Sequence, residues 1–279
     1  MARGRRLWAE NQSDVVLPGR SWSKWDKLLA GSYLILSDYA AGEFPPRFPD
    51  REVVYENESN VPDHPGLRAV DQLVSAARKP FLGTGGSAYF RDYLHVLAAL
   101  EHRDIHPPAR LLELGSGPGW MAEWLTLNGF EVVATSVREA DRELIDARAA
   151  SIRARGLPCP LTFHRCPMEE AARLRDAGPF AAVIVYEALH HAFSWMETIA
   201  SVRDVLPAGG WFFICNEPNV LHTFISYRVA QLHHWHEVGI PRGPLLRALR
   251  EHGFDHVELL RNRVNTLANK HWIAARRGA

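Results

Sequence analysis

The stretch that decides the fold of this 279-residue chain is Leu111-Leu112-Glu113-Leu114-Gly115-Ser116-Gly117-Pro118-Gly119-Trp120. Its apolar start predicts a short buried strand, and its glycines allow a tight turn from that strand into a helix. Such a turn lets a ligand lie against the main chain, close to a positive helix N-terminus. Glu113 stands near the C-terminal end of the strand, where open parallel sheets bind ligands. The spacing G-x-G-x-G lacks the third glycine of the dinucleotide-binding fingerprint.

From Ala109 onward, short apolar runs alternate with segments of helical spacing. The predicted strands are ARLLEL at 109–114, EVVATS at 131–136, LTFHR at 161–165, FAAVIVY at 180–186 and WFFICNE at 211–217. This alternation predicts a parallel sheet with helices on both faces. A helix at about 242–252 precedes VELLRN at 257–262 and HWIAARR at 271–277. The connection between these two runs is too short for a crossover helix, so they should pair antiparallel at the edge of the sheet.

The chain before residue 108 is rich in Trp and interrupted by Pro. Its predicted elements are helices at about 21–38, near 65–78 and at about 87–102, and a short apolar run at 53–55. We therefore predict two parts, a mainly helical cap or accessory region at 1–86 and a ligand-binding domain at 87–279.

Composition and charge narrow the classes of function. The chain has 32 basic and 32 acidic side chains. Nucleic acids and anionic membranes are generally met by a strong basic excess, so neither is expected as a partner. The three cysteines, an odd number without the spacing of a disulfide framework, favour a reducing cytoplasm. The N-terminus lacks the apolar core of a signal peptide, and the longest apolar runs are too short to span a bilayer. We expect a cytoplasmic protein.

Three segments, taken in order, carry a resemblance to a known family. They are ELGSGPG at 113–119, YEALHH at 186–191 and VRDVLPAGGWFFICNEPN at 202–219. Over about residues 87–279 the chain resembles the class I S-adenosylmethionine-dependent methyltransferases. The resemblance implies a Rossmann-like α/β fold, with a seven-stranded, mostly parallel sheet, one antiparallel strand in its edge region and helices on both faces. It also implies S-adenosylmethionine as cofactor, lying across the tips of strands one, two and four.

The resemblance implies a set of cofactor-binding residues. Glu113 would reach the methionyl amino group, directly or through water, and the glycine-rich turn would line the cofactor with its backbone. Tyr89 and Arg91 lie where the preceding helix of the family often closes over the methionyl carboxylate. The implied residues are Glu113, Gly115, Ser116, Gly117, Gly119, Trp120, Ser136, Met168, Tyr186, Arg91 and Tyr89. The alternatives are a tight turn without a ligand, a solvated Arg91 and a packed Tyr89.

Two positions depart from the family pattern. The family usually has an acid at the end of strand two that holds both ribose hydroxyls, and here that position is Ser136. One hydroxyl makes fewer hydrogen bonds than a carboxylate, so either cofactor affinity is lower or Glu139 or Asp141 substitutes. A second acid commonly contacts the adenine amine after strand three. Its place falls at 166–167, a Cys and a Pro, which leaves the backbone around Met168 to meet the ring. The alternative is that Met168 is a core residue.

The end of the fourth predicted strand carries candidates for catalysis. A hydroxyl acceptor benefits from a base whose pKa is near the working pH, for which His is the usual choice. The segment 186–191 places two imidazoles and a carboxylate beside the expected position of the transferred methyl group. We predict His190 or His191 as the base and Glu187 as its orienting partner or as a substrate contact. The alternative is that one His packs under the cofactor for structural reasons.

An insertion at 218–241 follows the fifth predicted strand, at a position where insertions commonly form substrate lids. It is rich in aromatic and hydrogen-bonding side chains, namely His222, Tyr227, Arg228, His233, His234, Trp235, His236 and Glu237. Such side chains suit a polar organic substrate, for example a sugar or an aromatic hydroxyl. The alternative is a surface helix with solvated histidines.

Six of the 14 histidines fall between residues 190 and 236, so a metal ion has to be considered. Imidazoles together with Glu187 or Glu217 have the composition of a two-His, one-carboxylate site. The clusters stand on separate elements, however, and no established ligand spacing such as H-E-x-x-H is present. The sequence therefore assigns no metal ligand.

The predicted function is transfer of a methyl group from S-adenosylmethionine to a small polar metabolite, such as a sugar or a natural product. Oxygen is the preferred acceptor atom, ahead of nitrogen and carbon. One alternative is a non-catalytic binding protein that keeps the fold but has lost the cofactor. Another is a metal-assisted enzyme that uses S-adenosylmethionine. A homodimer is left open.

Overall fold

The computed structural model describes residues 1–10, 23–44, 48, 50–59, 77–81, 86–261 and 269–279. A seven-stranded sheet forms its centre, in the order β3-β2-β1-β4-β5-β7-β6. The strands are β1 (Arg110–Leu114), β2 (Glu131–Ser136), β3 (Leu161–Arg165), β4 (Ala182–Tyr186), β5 (Trp211–Glu217), β6 (Phe254–Leu259) and β7 (His271–Arg277). β1 to β5 are parallel, and β7 pairs antiparallel with both β5 and β6. The predicted fold class is confirmed.

Helices surround this sheet. They are α1 (Ala2–Glu10), α2 (Lys24–Ala41), α3 (Arg51–Ser59), α4 (Gly86–Glu101), α5 (Trp120–Leu127), α6 (Glu139–Ala154), α7 (Trp195–Val205), α8 (Leu221–His233) and α9 (Arg242–Glu251). The predicted helices at 21–38, 87–102 and 242–252 correspond to α2, α4 and α9. The apolar run at 53–55 lies inside α3, and the helix predicted near 65–78 falls mostly outside the described residues. Among the described residues, none of the helices has the length and apolar character needed to cross a membrane.

The central strands β1, β2, β4 and β5 are buried on both faces, which explains their continuous apolar sequences. In β1, Leu112 belongs to the core under α7 and α9, whereas Leu111 belongs to the core under α4, α5 and α6. All five residues of β4 are buried. Because neighbouring parallel strands begin in register, with Leu112 opposite both Val133 and Val183, their carboxyl ends meet at one edge of the sheet.

The N-terminal helices pack on the insertion after β5. Gly31 of α2 lies so close to α8 that a Cβ atom there would stand 1.8 Å from the carbonyl oxygen of Phe224. The Tyr227 hydroxyl of α8 donates a 2.6 Å hydrogen bond to Asp38 of α2. Leu34 of α2 packs in a small apolar cluster with Tyr227. The N-terminal part and the insertion therefore contact each other directly.

Candidate active site

A cavity of roughly 630 Å³ opens at the carboxyl ends of β1, β2 and β4. Its lining includes the glycine-rich turn at 115–118, the end of β2 at Ser136 and the end of β4 at Tyr186. The 3-10 segment Leu189–His191 and the insertion close its other side through His190, His191, His222, Trp235 and Glu237. One cavity thus joins the two candidate regions found in the sequence.

The glycine-rich turn brings main chain to the cavity wall. Gly115 has φ of 64°, and a Cβ atom there would lie 2.7 Å from the Cβ of Ala188. Gly119 has φ of 71°, and a Cβ there would lie 2.3 Å from Ile145. Any larger residue at either position would push the turn away from its neighbours. Ser116 fixes the turn to β2, because its amide and its hydroxyl both donate to the carbonyl of Thr135, at 2.7 and 2.9 Å.

Glu113 is buried beside the first turn of α5. Burial raises the pKa of its carboxyl to about 8, against the opposing effects of the Ala122 amide and the Arg148 charge. Its Oε2 atom is buried and has no hydrogen-bond partner in the described part of the chain. An orphaned carboxyl oxygen calls for a hydrogen-bond donor, although Glu113 is not itself among the residues that line the cavity.

The cavity contains an acid near the end of β2, although the strand itself ends in Ser136. The Ser136 hydroxyl donates a 2.6 Å hydrogen bond to Asp141 of α6, and both residues are buried and line the cavity. Glu139, the other substitute considered from the sequence, pairs with Arg142 and its side chain is 56% exposed. Of the two acids, the structure brings Asp141 to the cavity.

Aromatic rings form part of the cavity wall. Trp120 packs edge-on against both Tyr89 and Tyr186, with ring centroids 5.3 and 5.6 Å apart. All three residues line the cavity, and their contact with a cofactor stays a prediction. Arg91 is exposed and is not among the lining residues. Lys79, which the sequence did not single out, takes a place in the lining with its Nζ atom 5.6 Å from the ring centroid of Tyr89.

Cys166 and Met168 line the region after β3. The side chain of Met168 is buried, and the Cys166 thiol donates to the carbonyl of Pro167 at 3.3 Å. Neither residue offers an acid, in agreement with the departure noted in the sequence. The next acid along the chain, Glu169, is engaged elsewhere, because it accepts a 2.6 Å hydrogen bond from the hydroxyl of Tyr55.

The carboxylate of Glu217 organises the segment that carries His190. Glu217 is fully buried at the end of β5 and accepts the backbone amides of Ala188, Leu189 and His190 at 2.6, 2.8 and 3.2 Å. It also lies 2.9 Å from Nδ1 of His190. Glu187, which the sequence offered as the orienting partner, forms an ion pair with Lys270, and the carboxylate in contact with Nδ1 of His190 is that of Glu217. Glu187 does line the cavity, so its substrate-contact role stays a prediction.

Three imidazoles converge on the carboxylate of Glu237. Nε2 of His190 lies 3.6 Å from Oε1 of Glu237, Nε2 of His191 lies 3.4 Å from Oε2, and Nε2 of His222 lies 2.8 Å from Oε1. On its other side, Nδ1 of His191 lies 3.1 Å from Glu58 of α3. The N-terminal region therefore contributes an acid to the cluster, which neither the motif nor the composition indicated.

The carboxylates control the charges of these imidazoles. Burial alone would lower the pKa of His190, but its hydrogen bonds and charge interactions with Glu217 and Glu237 outweigh burial and raise it to about 10. The pKa of His191 is also raised. Burial alone would lower it, but the charge of Glu237 is the main cause that raises it. The pKa of Glu237 is well below its usual range, because nearby imidazoles outweigh the effect of burial.

The remaining residues of the insertion separate into distinct environments. Trp235 lines the cavity, whereas Arg228 is buried without lining it. His236 lies under the cluster, with Nδ1 2.9 Å from the carbonyl of His190, and burial lowers its pKa. His234 is exposed, and the side chain of His233 lies outside the described set.

The sheet order and the glycine-rich turn at the end of β1 define the Rossmann-like class I methyltransferases. A sequence model of a family described as a methyltransferase domain matches residues 86–259, more than half of the chain. The chain belongs to this methyltransferase family, and its methyl donor is S-adenosylmethionine. The resemblance stated from the sequence is confirmed. No curated protein matches the chain by sequence.

Solved structures share the fold at low identity. The CurJ carbon methyltransferase is 15% identical, with a TM-score of 0.55 over 100% of this chain and 71% of that one. The CMeT domain of the citrinin polyketide synthase is 13% identical, with a TM-score of 0.54 over 91% and 65% of the two chains. An O-methyltransferase family protein from Burkholderia thailandensis is 14% identical, with a TM-score of 0.51 over 91% and 72%. These likenesses establish the fold.

Proposed function

We propose that this enzyme methylates a hydroxyl oxygen of a small polar metabolite bound between the glycine-rich turn and the insertion. The observation that carries the proposal is the shared cavity, which is lined by the turn on one side and by His190, His191, His222 and Glu237 on the other. Methylation of a hydroxyl requires a binding site for the methyl donor and acid–base side chains at the same cavity.

S-adenosylmethionine supplies the methyl group on a positively charged sulfur atom. The acceptor oxygen gains the C–O bond as the S–C bond breaks, and the electrons of that bond leave with the sulfur. The acceptor proton leaves to the imidazole cluster. His190 takes it when its Nε2 atom is deprotonated and uncoordinated, and because its pKa is raised to about 10 that form is populated mainly at alkaline pH. Glu217 supports this role through Nδ1, because that 2.9 Å contact fixes the orientation of the ring.

Several residues support binding of the donor. We propose that Asp141, held by Ser136, binds the ribose hydroxyls in place of the missing acid at the end of β2. Lys79 is proposed to meet the methionyl carboxylate, and the orphaned oxygen of Glu113 the amino group, directly or through water. Met168 is proposed to pack against the adenine ring, with hydrogen bonds from the backbone beside it.

The acceptor is proposed to lie against the insertion. His222 and Trp235 offer a hydrogen-bonding and a flat apolar surface there, which suits a hydroxylated ring. Glu187, with its partner Lys270, adds a polar edge at the end of β4.

The test uses S-adenosylmethionine with an isotopically labelled methyl group and a panel of sugars, phenols, amines and β-dicarbonyl compounds. Mass spectrometry detects the labelled product, and NMR locates its new methyl group. We expect an O-methyl product and a rate at least about 100-fold lower in His190→Ala, the size usual for loss of an acid–base group. His164→Ala, which removes an exposed histidine of β3, is the matched control. Methylation of carbon or nitrogen would contradict the oxygen assignment, and full activity in His190→Ala would contradict the role of His190.

A further inference from the structure

We infer that the imidazole cluster is a binding site for one divalent transition-metal ion. The ligands are Nε2 of His190, Nε2 of His191 and the carboxylate of Glu237, with His222 as a fourth. The ligand atoms of the first three residues all lie within 4.8 Å of one another. The inference deepens the proposed function, and only the role given to the bound ion below rests on that function.

The separations between the ligand atoms suit such an ion. Zinc-type ions bind imidazole nitrogen and carboxylate oxygen at about 2.0–2.2 Å, so two ligand atoms of a tetrahedral shell stand about 3.3–3.6 Å apart. The Nε2 atoms of His190 and His191 lie 3.6 and 3.4 Å from the oxygens of Glu237. The 2.8 Å contact between His222 and Glu237 would open slightly to admit the same ion.

Carboxylates hold the opposite nitrogen of both central imidazoles. Nδ1 of His190 lies 2.9 Å from Glu217, and Nδ1 of His191 lies 3.1 Å from Glu58. A carboxylate that accepts a hydrogen bond from Nδ1–H fixes the tautomer of the imidazole. The lone pair on Nε2 is then available to a metal. Here both Nε2 atoms face the same carboxylate. Glu217 is itself held by three backbone amides, so the arrangement is pre-organised rather than dependent on flexible side chains.

The negative charges around the cluster also favour a bound cation. Glu58, Glu217 and Glu237 place three carboxylates around the two central imidazoles, with side chains 12%, 0% and 17% exposed. Grouped, poorly solvated carboxylates need compensating positive charge, which either imidazole protons or a divalent cation can provide. Nitrogen-rich ligand sets favour zinc, iron, cobalt, nickel or copper over magnesium and calcium.

The ion would face the acceptor, because all four ligands line the cavity that also contains the glycine-rich turn. If the proposed function holds, the acceptor hydroxyl binds the ion and loses its proton more readily there. His190 then serves as a metal ligand, and the proton passes to solvent or to a neighbouring carboxylate. The ligands come from the segment after β4, from α8 and from the loop after α8, which explains why no contiguous metal motif exists.

The experiment uses the full chain, stripped with a chelator and dialysed against metal-free buffer. Zn²⁺ and Co²⁺ are added separately, bound metal is counted by mass spectrometry, and the visible absorption of Co²⁺ reports a low-coordinate site. We expect one ion per chain and at least about 100-fold weaker binding in His191→Ala and Glu237→Gln. Loss of a supporting carboxylate in Glu217→Gln should weaken binding about 10- to 100-fold. His164→Ala is the control, and S-adenosylmethionine affinity verifies that each variant is folded.

The outcomes separate this inference from the proposed function, because metal binding is measured without any acceptor. No stoichiometric binding to the stripped chain would overturn it, as would undiminished binding in the folded His191→Ala and Glu237→Gln variants. Full methyl transfer by the metal-free enzyme would overturn the catalytic role of the ion and leave the methyltransferase assignment intact. One bound ion that is lost in these variants would support the site even if no acceptor in the panel were methylated.

Discussion

The hydroxyl of Ser136 donates a 2.6 Å hydrogen bond to the carboxylate of Asp141, and both side chains are buried at the cavity. This short hydrogen bond fixes the position of the Asp141 side chain. A serine at the end of β2 and an acid in the first turn of α6 thereby combine at the place where the family usually has one acid. Asp141 stands five residues after that position, and we propose that it takes the role of the missing acid.

Replacing this acid should therefore weaken cofactor binding. We expect Asp141→Asn to raise the Kd for S-adenosylmethionine about 10- to 100-fold, since a hydrogen bond to a charged group contributes about 1.5–3 kcal/mol. Isothermal titration measures the affinity, and the free energy of unfolding verifies the fold. Glu139→Gln is the matched control, because Glu139 lies on the same turn but is largely exposed. An unchanged Kd in Asp141→Asn would rule out the ribose-binding role.

Glu113 should make both stability and cofactor affinity depend on pH. Its carboxyl has a pKa of about 8 in the folded protein, above its ordinary value of 4.5. The folded state therefore holds the proton more tightly than the unfolded state, and this contribution to stability is full below about pH 4.5 and is lost as the pH rises through 8. A cofactor amino group binds the ionised form, so affinity should rise up to about tenfold per unit between pH 6 and 8.

Titration calorimetry from pH 6 to 8.5 measures this effect. Glu113→Gln cannot ionise, so it should bind more weakly, and it should lose the part of the pH dependence that Glu113 causes. The same slope in the wild type and the variant would show that Glu113 is not the titrating group.

Lys79 and Arg91 provide a direct comparison between structure and sequence. Lys79 lines the cavity beside Tyr89, and burial lowers its pKa, whereas Arg91 is exposed and is not among the lining residues. We expect Lys79→Gln to raise the Kd for S-adenosylmethionine about tenfold, because a charged hydrogen bond to the methionyl carboxylate is lost. Arg91→Gln should change it less than twofold, about 0.4 kcal/mol. A larger loss of affinity in Arg91→Gln than in Lys79→Gln would favour the sequence-based prediction that Arg91 meets the methionyl carboxylate.

The centre of the sheet could be predicted because its strands β1, β2, β4 and β5 are buried on both faces. Every residue of β4 is buried, so its apolar run is continuous and its type is unambiguous. The edge strand β6 was harder to place, because four of its six residues are exposed. The strand predicted at 257–262 is observed at Phe254–Leu259. Apolar patterning is weak where a strand has little to bury.

The role of Glu217 could not be predicted, because it depends on irregular backbone. The pairing of β5 with β7 shifts register between Cys215 and Glu217, and Asn216 has φ of 58°. Such an irregularity redirects a side chain without a clear mark in the sequence. Glu58 was missed for another reason: it contacts His191 from 133 positions away in the chain, and single-sequence patterns carry no information on such pairs.

Glu217 also makes a prediction about stability. Its fully buried carboxylate accepts three backbone amides and faces Nδ1 of His190. Glu217→Ala leaves these buried donors without their acceptor, at about 1–3 kcal/mol for each unsatisfied group, so we expect the free energy of unfolding to fall by at least about 3 kcal/mol. Urea denaturation followed by circular dichroism measures the loss. Glu251→Ala, at the exposed end of α9, is the control and should stay within about 0.5 kcal/mol of the wild type. If Glu217→Ala were as stable as this control, the carboxylate would not be what holds the 3-10 segment and its histidines in place.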